Sequence, residues 1–596
     1  MLKLFFRLFF GLFLLVASIG CGKSSGGDGG AGGGSSKLYG DIGTESSYCS
    51  SVTNPSSPVT ITATATYRAR QVIPSGVNAG LGDPADAPIR FAEVQVLNSG
   101  GTVVQCGTTD NSGAINLQME LAAGTYTLKV LSRASHASHG YISVLNNPTS
   151  MTPYSISASF SLSGGETTVG VTLSSATYTG TLEGGAFNIL DQIMKSNEYM
   201  LANTSPVLTL NTTKARIFWA PGLSPGAYYG SPTAATSFFI PSDEADYGMA
   251  TGIYLLGGIN GSTCVDTDHF DNSVISHEFG HFLEKTYAYS DSPGGSHNGN
   301  SVIDPRIAWS EGWSNYYQGA VMATAGYYDT TGNKDCPTSG TALTVSLDLE
   351  NKQIGHDNVN GSTYLGEGLF REVSVTRGLW DIQNTIASGT DSYGAGVGFA
   401  YIWNIFSDSS TGFRASSVHF RNMGKFNELM RAYISANSPG ALTDFDNLVL
   451  NERQRSDQNE YARPITPQVS SCTFAIQGVN GVDNLAKTHD FFSYYYDGTA
   501  AHASINLKYA ATVSGTPTDL DLYVWSESYA FTDSTTLKRQ SAQIYPESGG
   551  AGAESVSLSG LAAGYYLVHV ATDSNSVNNE ATYYIETNSG AQRLCP

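Results

Sequence analysis

Charged residues are scarce in this sequence: Asp, Glu, Lys and Arg together make up only 14% of it. Long exposed helices need charged faces, so this scarcity disfavours them. The 66 glycines and 34 tyrosines are typical of short β-strands joined by turns. Basic residues are fewer than acidic ones: there are 30 Lys and Arg and 51 Asp and Glu, which leaves a net charge of −21. Such a charge repels nucleic acid, so we expect no nucleic-acid partner and favour cation binding or simple solubility.

A membrane-spanning run is missing as well. The apolar run near the N-terminus, residues 8–17, is too short to span a bilayer stably. Lys3 and Arg7 precede this run and small residues follow it, which is the pattern of a cleaved export signal. We therefore predict a signal peptide at residues 1–20 and an exported protein.

Cys21 directly follows the predicted signal peptide and precedes a Gly/Ser-rich tract at residues 22–36. This arrangement resembles bacterial lipoproteins, in which the cysteine is acylated and such a tract is a flexible tether. Ser18 stands where these signals usually have leucine, which leaves secretion with an unmodified Cys21 as the alternative. We expect residues 21–57 to be a tether and lead-in. A lipid anchor would hold the protein at the outer membrane or cell surface.

Cysteine is scarce too, and no pair of cysteines has the CxxC spacing of a zinc or redox site. Six cysteines remain after Cys21, and an even number in an exported chain predicts disulfides. Of the fifteen possible pairings we prefer the one in chain order, which is Cys49–Cys106, Cys264–Cys336 and Cys472–Cys595.

A chain of 596 residues is too long for a single core. Apolar and polar residues alternate between turn signals over residues 58–176 and again over residues 471–596, which predicts two antiparallel β-sandwich domains. Between them, residues 177–470 show helical periods after short strands, so we predict a central α+β domain. The predicted helices are at 186–201, 272–285, 307–323, 368–386 and 425–436, and the predicted strands at 215–219, 237–240 and 252–256.

The predicted helix at residues 272–285 contains the string His277-Glu278-Phe279-Gly280-His281. Residues four apart lie one above the other on a helix, so His277 and His281 can bind one metal ion while Glu278 handles a proton. Asp271 is placed to cap this helix. With only eleven histidines in the chain, a chance match is rare. We therefore favour a metal site over two structural histidines on a core helix.

A catalytic zinc ion usually has three protein ligands and one water. The metzincin pattern would supply a third histidine, but it requires Gly and His where this chain has Glu284 and Tyr287. A glutamate on a second helix is the other common solution. Glu311 lies in such a predicted helix, which Asp304-Pro305 would start. The alternative is that Glu311 is a surface acid, and the tryptophans on both sides of it argue against that.

The strings HEFGH and, further on, SEGWSNYY resemble the gluzincin peptidases, the thermolysin-like group, and especially its fungalysin branch. The resemblance is strong over the two motif helices and weak elsewhere. It implies that His277, His281 and Glu311 bind one zinc ion and that Glu278 is the general base. Asn315 departs from the pattern, because the family has an aspartate there that orients a ligand histidine. An amide oxygen still accepts an imidazole N–H but carries no charge, so we expect a less basic ligand.

In related enzymes a downstream histidine and a tyrosine donate hydrogen bonds to the oxyanion that forms during the reaction. The segment Leu379-Trp380-Asp381 resembles the end of the helix that follows this histidine in fungalysins, but no histidine stands at the fitted distance before it. The donor stays open, and the candidates are His356, Tyr316, Tyr317, Arg377 and His419.

The resemblance implies an extracellular zinc endopeptidase that acts on protein or peptide substrates. The flanking sandwiches are similar to carboxypeptidase regulatory-like domains and to the C-terminal β-sandwich of many secreted bacterial peptidases. An aminopeptidase is disfavoured, because no acidic exopeptidase motif lies near the site. The alternative from another class is a surface adhesin or carbohydrate-binding lipoprotein with a vestigial zinc site. Asn315 and the missing histidine favour this alternative, and the intact Glu278 opposes it.

Two further segments are candidates for binding, one for the substrate and one for a cation. We expect residues 252–258 to form an edge strand to which an extended substrate adds. The acidic segment at residues 266–271 suggests Ca²⁺. It lacks the spacing of a known calcium loop, so capping and turn formation are favoured there.

Overall fold

The computed structural model describes the chain from residue 40 to residue 596, with gaps. The gaps are residues 50–57, 77–78, 121, 137–138, 206–207, 211–212, 296, 298–300, 332–342, 351–357, 360–361, 364–365, 385–392, 455–460, 477–488, 511, 514–515, 518, 529, 532–538, 542–550 and 573–580. Four predictions fall outside the described residues: the signal peptide, the lipidation site at Cys21, the disulfide partner Cys336 and the donor candidate His356.

The described residues form two compact units in a mixed α+β chain. The first unit comprises residues 40–286 and 317–348, and the second comprises residues 287–316 and 349–596. The division passes through one continuous helix, Pro305–Met322, whose last six residues belong to the first unit. None of the helices in the described residues has the length and apolar character needed to cross a bilayer.

The first unit is built mainly from short strands and two long helices. Its strands are β1 (Val59–Thr64), β2 (Thr66–Ala69), β3 (Val72–Ile73), β4 (Gly80–Leu81), β5 (Ala85–Pro88), β6 (Ala92–Asn98), β7 (Val103–Thr108), β8 (Ala114–Met119), β9 (Gly124–His136), β10 (Gly140–Leu145), β11 (Ser155–Leu162), β12 (Thr168–Gly170), β13 (Lys214–Phe218), β14 (Phe238–Ile240), β15 (Gly252–Tyr254), β16 (Gly326–Thr330) and β17 (Leu343–Asp348). Its helices are α1 (Glu183–Asn203) and α2 (Asn272–Tyr287), the latter ending at the boundary.

An eight-stranded sheet runs through the first unit in the order β14-β15-β13-β10-β9-β6-β7, with β11 paired to β9. Strand β10 pairs in parallel with β13, and the long chain segment between them includes α1, as a parallel pairing requires. The sheet therefore continues past residue 176, where we predicted a boundary between an antiparallel sandwich and the central domain. Alternating residues predict that a strand forms but not which strand it joins. A separate three-stranded sheet has the order β12-β1-β8.

The second unit combines five helical segments with a large sheet. Its helices are the first part of α3 (Pro305–Met322), α4 (Glu372–Gln383), α5 (Phe399–Ser407), α6 (Met423–Asn437) and α7 (Leu442–Asn451). Its strands are β18 (Asn358–Val359), β19 (Ser362–Thr363), β20 (Arg463–Gln468), β21 (Phe474–Ile476), β22 (His489–Tyr496), β23 (Ser504–Ala510), β24 (Thr512–Val513), β25 (Thr516–Pro517), β26 (Leu520–Ser526), β27 (Arg539–Ser541), β28 (Ala551–Ser557), β29 (Gly564–Thr572), β30 (Ala581–Thr587) and β31 (Gln592–Cys595). The ten-stranded sheet has the order β27-β26-β29-β22-β20-β31-β30-β23-β28, with β21 on β30.

Two of the three predicted disulfides are present in the described residues, and a repeated string forms two similar turns. Cys49–Cys106 and Cys472–Cys595 are disulfides, and the Cα atoms of each pair are 5.9 Å apart. The turns before β9 and β29 share the string Ala-Ala-Gly-x-Tyr. In both, the tyrosine O–H donates to the carbonyl four residues earlier, from Tyr126 to Ala122 and from Tyr566 to Ala562, each at 2.9 Å. The repeated string therefore makes the same local turn twice.

The five predicted helices are present as α1, α2, α3, α4 and α6, with ends that differ by at most four residues. The predicted central strands are present as β13, β14 and β15. Helix α5 was missed because its sequence, FAYIWNIFS, is apolar on nearly every side and so lacks the period of a half-buried helix.

Candidate metal centre

Helix α2 is held in place by its apolar face and by its first residues. Ile275, Phe279 and Leu283 are spaced four apart and are almost completely buried. The carbonyl of Asp271 accepts the hydrogen bond from the Ile275 N–H, as expected where the helix begins. The carboxylate of Asp271 accepts from the N–H and Oγ1 of Thr330, at 3.1 and 3.0 Å. This side chain therefore ties the start of α2 to strand β16.

The two histidines of α2 and Glu311 of α3 come together. Each offers one ligand atom, and these atoms all lie within 4.8 Å of one another. The Nε2 atoms of His277 and His281 are 3.2 Å apart. Ligand atoms about 2 Å from a tetrahedral zinc ion lie roughly 3.3 Å apart, so this spacing suits zinc. The three residues are only 9%, 4% and 3% exposed. Two imidazoles and one carboxylate are a donor set that zinc prefers, and the residues fit the ion.

Asn315 lies on α3 four residues after Glu311, so the two residues share a face of the helix. It is 7% exposed. The neighbouring Gly312 is required by packing, because a Cβ there would lie 2.5 Å from the Cβ of Val375. A close approach of α4 to α3 therefore fixes the helix that carries the third predicted ligand.

Glu278, the predicted general base, is 5% exposed and lies beside a tyrosine that the sequence analysis missed. The ring of Tyr327, on β16, stands edge-on to that of His277, with ring centroids 5.9 Å apart. Burial raises the pKa of the Tyr327 phenol well above its usual range, and the charges of Asp329 and Glu278 raise it further. The phenol therefore keeps its proton. No motif surrounds Tyr327, and only the return of the chain after α3 brings it to the site.

His297 is a second residue that the sequence analysis missed. Its Nδ1 lies 2.7 Å from Glu372 Oε2, and its Nε2 lies 3.4 Å from Glu311 Oε1. His297 belongs to the segment between α2 and α3, which contains no recognisable motif. Its connection to Glu311 and to the first residue of α4 is visible only in three dimensions.

The oxyanion-donor candidates among the described residues all have partners other than His277, His281 and Glu311. Their contacts are Tyr316 O–H to Gln383 Oε1, Tyr317 O–H to the Ser196 carbonyl at 3.2 Å, Arg377 to Glu452 at 2.8 Å and His419 to Glu527 at 3.2 Å. The ring of His419 also stacks on that of Tyr565, with centroids 3.7 Å apart. All four stay candidates for the oxyanion donor.

The predicted edge strand at residues 252–258 is not at an edge. The part of it that forms a strand, β15, pairs with β13 on one side and with β14 on the other. The prediction was wrong because β14, only three residues long, adds antiparallel to β15 and covers it. Within the described residues, β14 is the outermost strand at this end of the sheet.

A second group of acids lies in the same unit as α2. Asp266, Asp268 and Asp329 each offer a carboxylate oxygen, and these oxygens lie within 4.8 Å of one another. Burial, followed by the charge of Asp329, raises the pKa of Asp266 to about 8 and also raises the pKa of Asp268. Burial raises the pKa of Asp329 to about 6. The segment predicted from sequence supplies two of the three acids, and Asp329, on β16, was missed.

No protein-family model matches the sequence, and no curated protein matches it significantly.

Proposed function

We propose that the protein is an exported zinc endopeptidase that hydrolyses peptide bonds in extracellular protein or peptide substrates. The observation that carries the proposal is the buried group of His277, His281 and Glu311, with Glu278 beside it. Two ligands and a base from one helix, with a carboxylate from a second, are what the gluzincin resemblance implies. The position of Glu311 beside the two histidines supports the resemblance, because the spacing of residues along one helix does not bring Glu311 there.

A zinc ion held by these residues would lower the pKa of a water molecule and polarise the substrate carbonyl. The carboxylate of Glu278 then accepts the proton of the attacking water and passes it to the leaving amine. Its burial strengthens this role, since charges act on each other more strongly where water is excluded. Tyr327 supplies a phenol that stays protonated next to the base, so it can donate a hydrogen bond to the oxygen that becomes negative.

The proposal places the mature protein outside the cytoplasm. The signal-like residues 1–20 and Cys21 support export with a lipid anchor at the outer membrane or cell surface, and secretion is the alternative. Disulfides are stable in such an oxidising environment, and the two in the described residues are consistent with it.

Ca²⁺ is proposed as a second cation, at Asp266, Asp268 and Asp329. Its support is chemical: carboxylate oxygens are the ligands that calcium prefers, and buried like charges require a cation or protons.

The test is to purify the wild type and the Glu278→Gln variant, measure zinc by elemental analysis, and assay both on casein and a peptide library. We expect one zinc ion per chain in both proteins and cleavage by the wild type alone. Glu428→Gln changes an exposed glutamate on α6 and is the matched control, with activity expected to be unchanged. Bound zinc without cleavage by the wild type would favour the adhesin or carbohydrate-binding alternative.

A further inference from the structure

Three residues of the second unit form a chain of contacts that ends on a predicted zinc ligand. Glu372 is the first residue of α4, His297 belongs to the segment before α3, and Glu311 lies on α3. The imidazole of His297 has one nitrogen 2.7 Å from the Glu372 carboxylate and the other 3.4 Å from the Glu311 carboxylate. One ring therefore lies between two carboxylates that belong to different helices.

Burial makes this arrangement informative. The side chains of Glu311 and Glu372 are 4% and 7% exposed, and that of His297 is 13% exposed. A buried carboxylate needs hydrogen-bond donors or a cation. The ring of His297 brings one nitrogen to each carboxylate, and it can donate to both when each nitrogen carries a proton. Other histidines in the unit differ: His419 and His502 each pair with one carboxylate, away from the ligand group.

We propose that His297, fixed by Glu372, is a positioning residue that holds one oxygen of Glu311 and leaves the other oxygen to bind the metal. The inference rests on the proposed zinc site. Metal ligands commonly depend on outer hydrogen-bond partners, which orient the ligand and restrict its freedom before the metal binds. In most such cases the ligand is a histidine and the partner a carboxylate. Here the roles are exchanged, because the ligand is a carboxylate and the partner a histidine.

The two contacts have different tasks. The 2.7 Å contact with Glu372 is short enough for a strong charge-assisted hydrogen bond, so it sets the orientation of the ring. The 3.4 Å contact with Glu311 is longer than an ordinary hydrogen bond, so it restrains the carboxylate without competing strongly with the metal. Weakening either contact should therefore weaken metal binding rather than abolish it.

The experiment measures zinc affinity by competition with a chromophoric chelator, and coordination by the visible absorption of the Co²⁺-substituted protein. We expect His297→Ala to weaken zinc binding by about 10- to 100-fold and to alter the Co²⁺ spectrum. His297→Gln keeps an amide N–H at a similar reach and should recover most of the affinity. Glu372→Gln should weaken binding less than His297→Ala. His502→Ala removes a histidine paired with Asp497 at 2.8 Å and is the control, with affinity expected to be unchanged.

The outcomes separate this inference from the proposed function. If the wild type binds no zinc, the zinc site itself is wrong. If the wild type binds zinc and both His297 variants bind it equally tightly with the same Co²⁺ spectrum, the positioning role is wrong. A loss of kcat in His297→Ala with unchanged zinc affinity also overturns it, because that result would mean that the imidazole contacts the substrate. Thermal unfolding of the metal-free proteins shows that each variant is folded, and His297→Gln provides the comparison if the alanine variant is not.

Discussion

The two clusters of possible metal ligands each contain three side chains, but their charges differ. The ligand group is His277, His281 and Glu311. The second cluster, here called the carboxylate group, is Asp266, Asp268 and Asp329. Two neutral imidazoles and one carboxylate carry one negative charge, whereas three carboxylates carry three. Burial raises the pKa values of all three acids of the second group, and the charge of Asp329 raises those of Asp266 and Asp268 further.

The difference in donor atoms predicts a difference in selectivity. Nitrogen donors with one oxygen at tetrahedral spacing favour zinc, and oxygen donors alone favour hard cations such as Ca²⁺. The two groups are also close in the chain, because Asp271 follows the carboxylate segment and starts α2. We infer a division of roles, in which one group serves the reaction and the other serves the fold around it.

Removal of each metal should have the largest effect. We expect 1,10-phenanthroline, which binds zinc, to abolish peptide cleavage and added Zn²⁺ to restore it, because the water and the carbonyl are activated by zinc. Dialysis into calcium-free buffer that contains saturating Zn²⁺ should remove Ca²⁺ and leave the rate per folded molecule unchanged. The measurements are the initial rate and the metal content. Inactivation on removal of Ca²⁺, at full zinc occupancy and full folding, would show that the division is wrong.

Variants of one acid from each group test the same division without chelators. Glu311→Ala should reduce zinc affinity by more than about 100-fold, since loss of a ligand should exceed the effect of losing its outer partner. Asp329→Asn removes the charge of one of the three clustered aspartates but keeps the shape of its side chain, so the protein should retain zinc. Zinc occupancy after dialysis distinguishes the two variants. Full occupancy in Glu311→Ala would remove that residue from the ligand set.

Tyr327→Phe tests whether the strand that carries Asp329 also serves the reaction. Loss of one oxyanion donor typically lowers kcat by about 10²- to 10³-fold, and we expect that loss with zinc binding unchanged. Tyr328→Phe is the matched control, because successive residues on a strand point to opposite faces. Steady-state kinetics on one peptide give kcat and KM separately. Equal kcat values for the wild type and Tyr327→Phe would exclude the phenol from the reaction.

The sequence was sufficient for the part of the site that local geometry determines. His277, Glu278 and His281 lie on one turn of helix, so their spacing alone brings them together. Glu311 required a second motif, which its helix also carries. Sequence spacing does not predict a site residue whose neighbours in the site are distant in the chain.

His297, Tyr327 and Asp329 come from segments with no motif of their own, and their place depends on how those segments return to α2 and α3. The same reason explains the error at β15, which became an inner strand when β14 joined the sheet. Strand partners are set by tertiary packing, which alternation of residues does not record. The Tyr126 and Tyr566 turns, by contrast, depend only on a short string, because their hydrogen bonds span four residues.

The smallest expected effect is on stability, and its sign follows from proton uptake. In the unfolded chain aspartates titrate near a pKa of about 3.9. In the folded protein the pKa of Asp266 is raised to about 8 and that of Asp329 to about 6. Between the pKa of the unfolded chain and the raised pKa values of the folded protein, the folded protein holds more protons than the unfolded chain. The free energy of unfolding therefore falls as pH rises from about 4 to about 8, and the stabilisation by bound protons is lost above that range.

We expect the calcium-free protein, with zinc kept saturating, to melt at a lower temperature near about pH 9 than near about pH 5 on account of these acids. Added Ca²⁺ should raise Tm more at the higher pH, because the cation replaces protons that are no longer bound; each kcal/mol corresponds to about 2–4 °C in a unit of roughly this size. Asp266→Asn should flatten the dependence on pH, whereas Asp246→Asn changes an exposed aspartate and should not. A calcium effect of equal size at both pH values would mean that the cation binds elsewhere, and the carboxylate group would then be held together by protons alone.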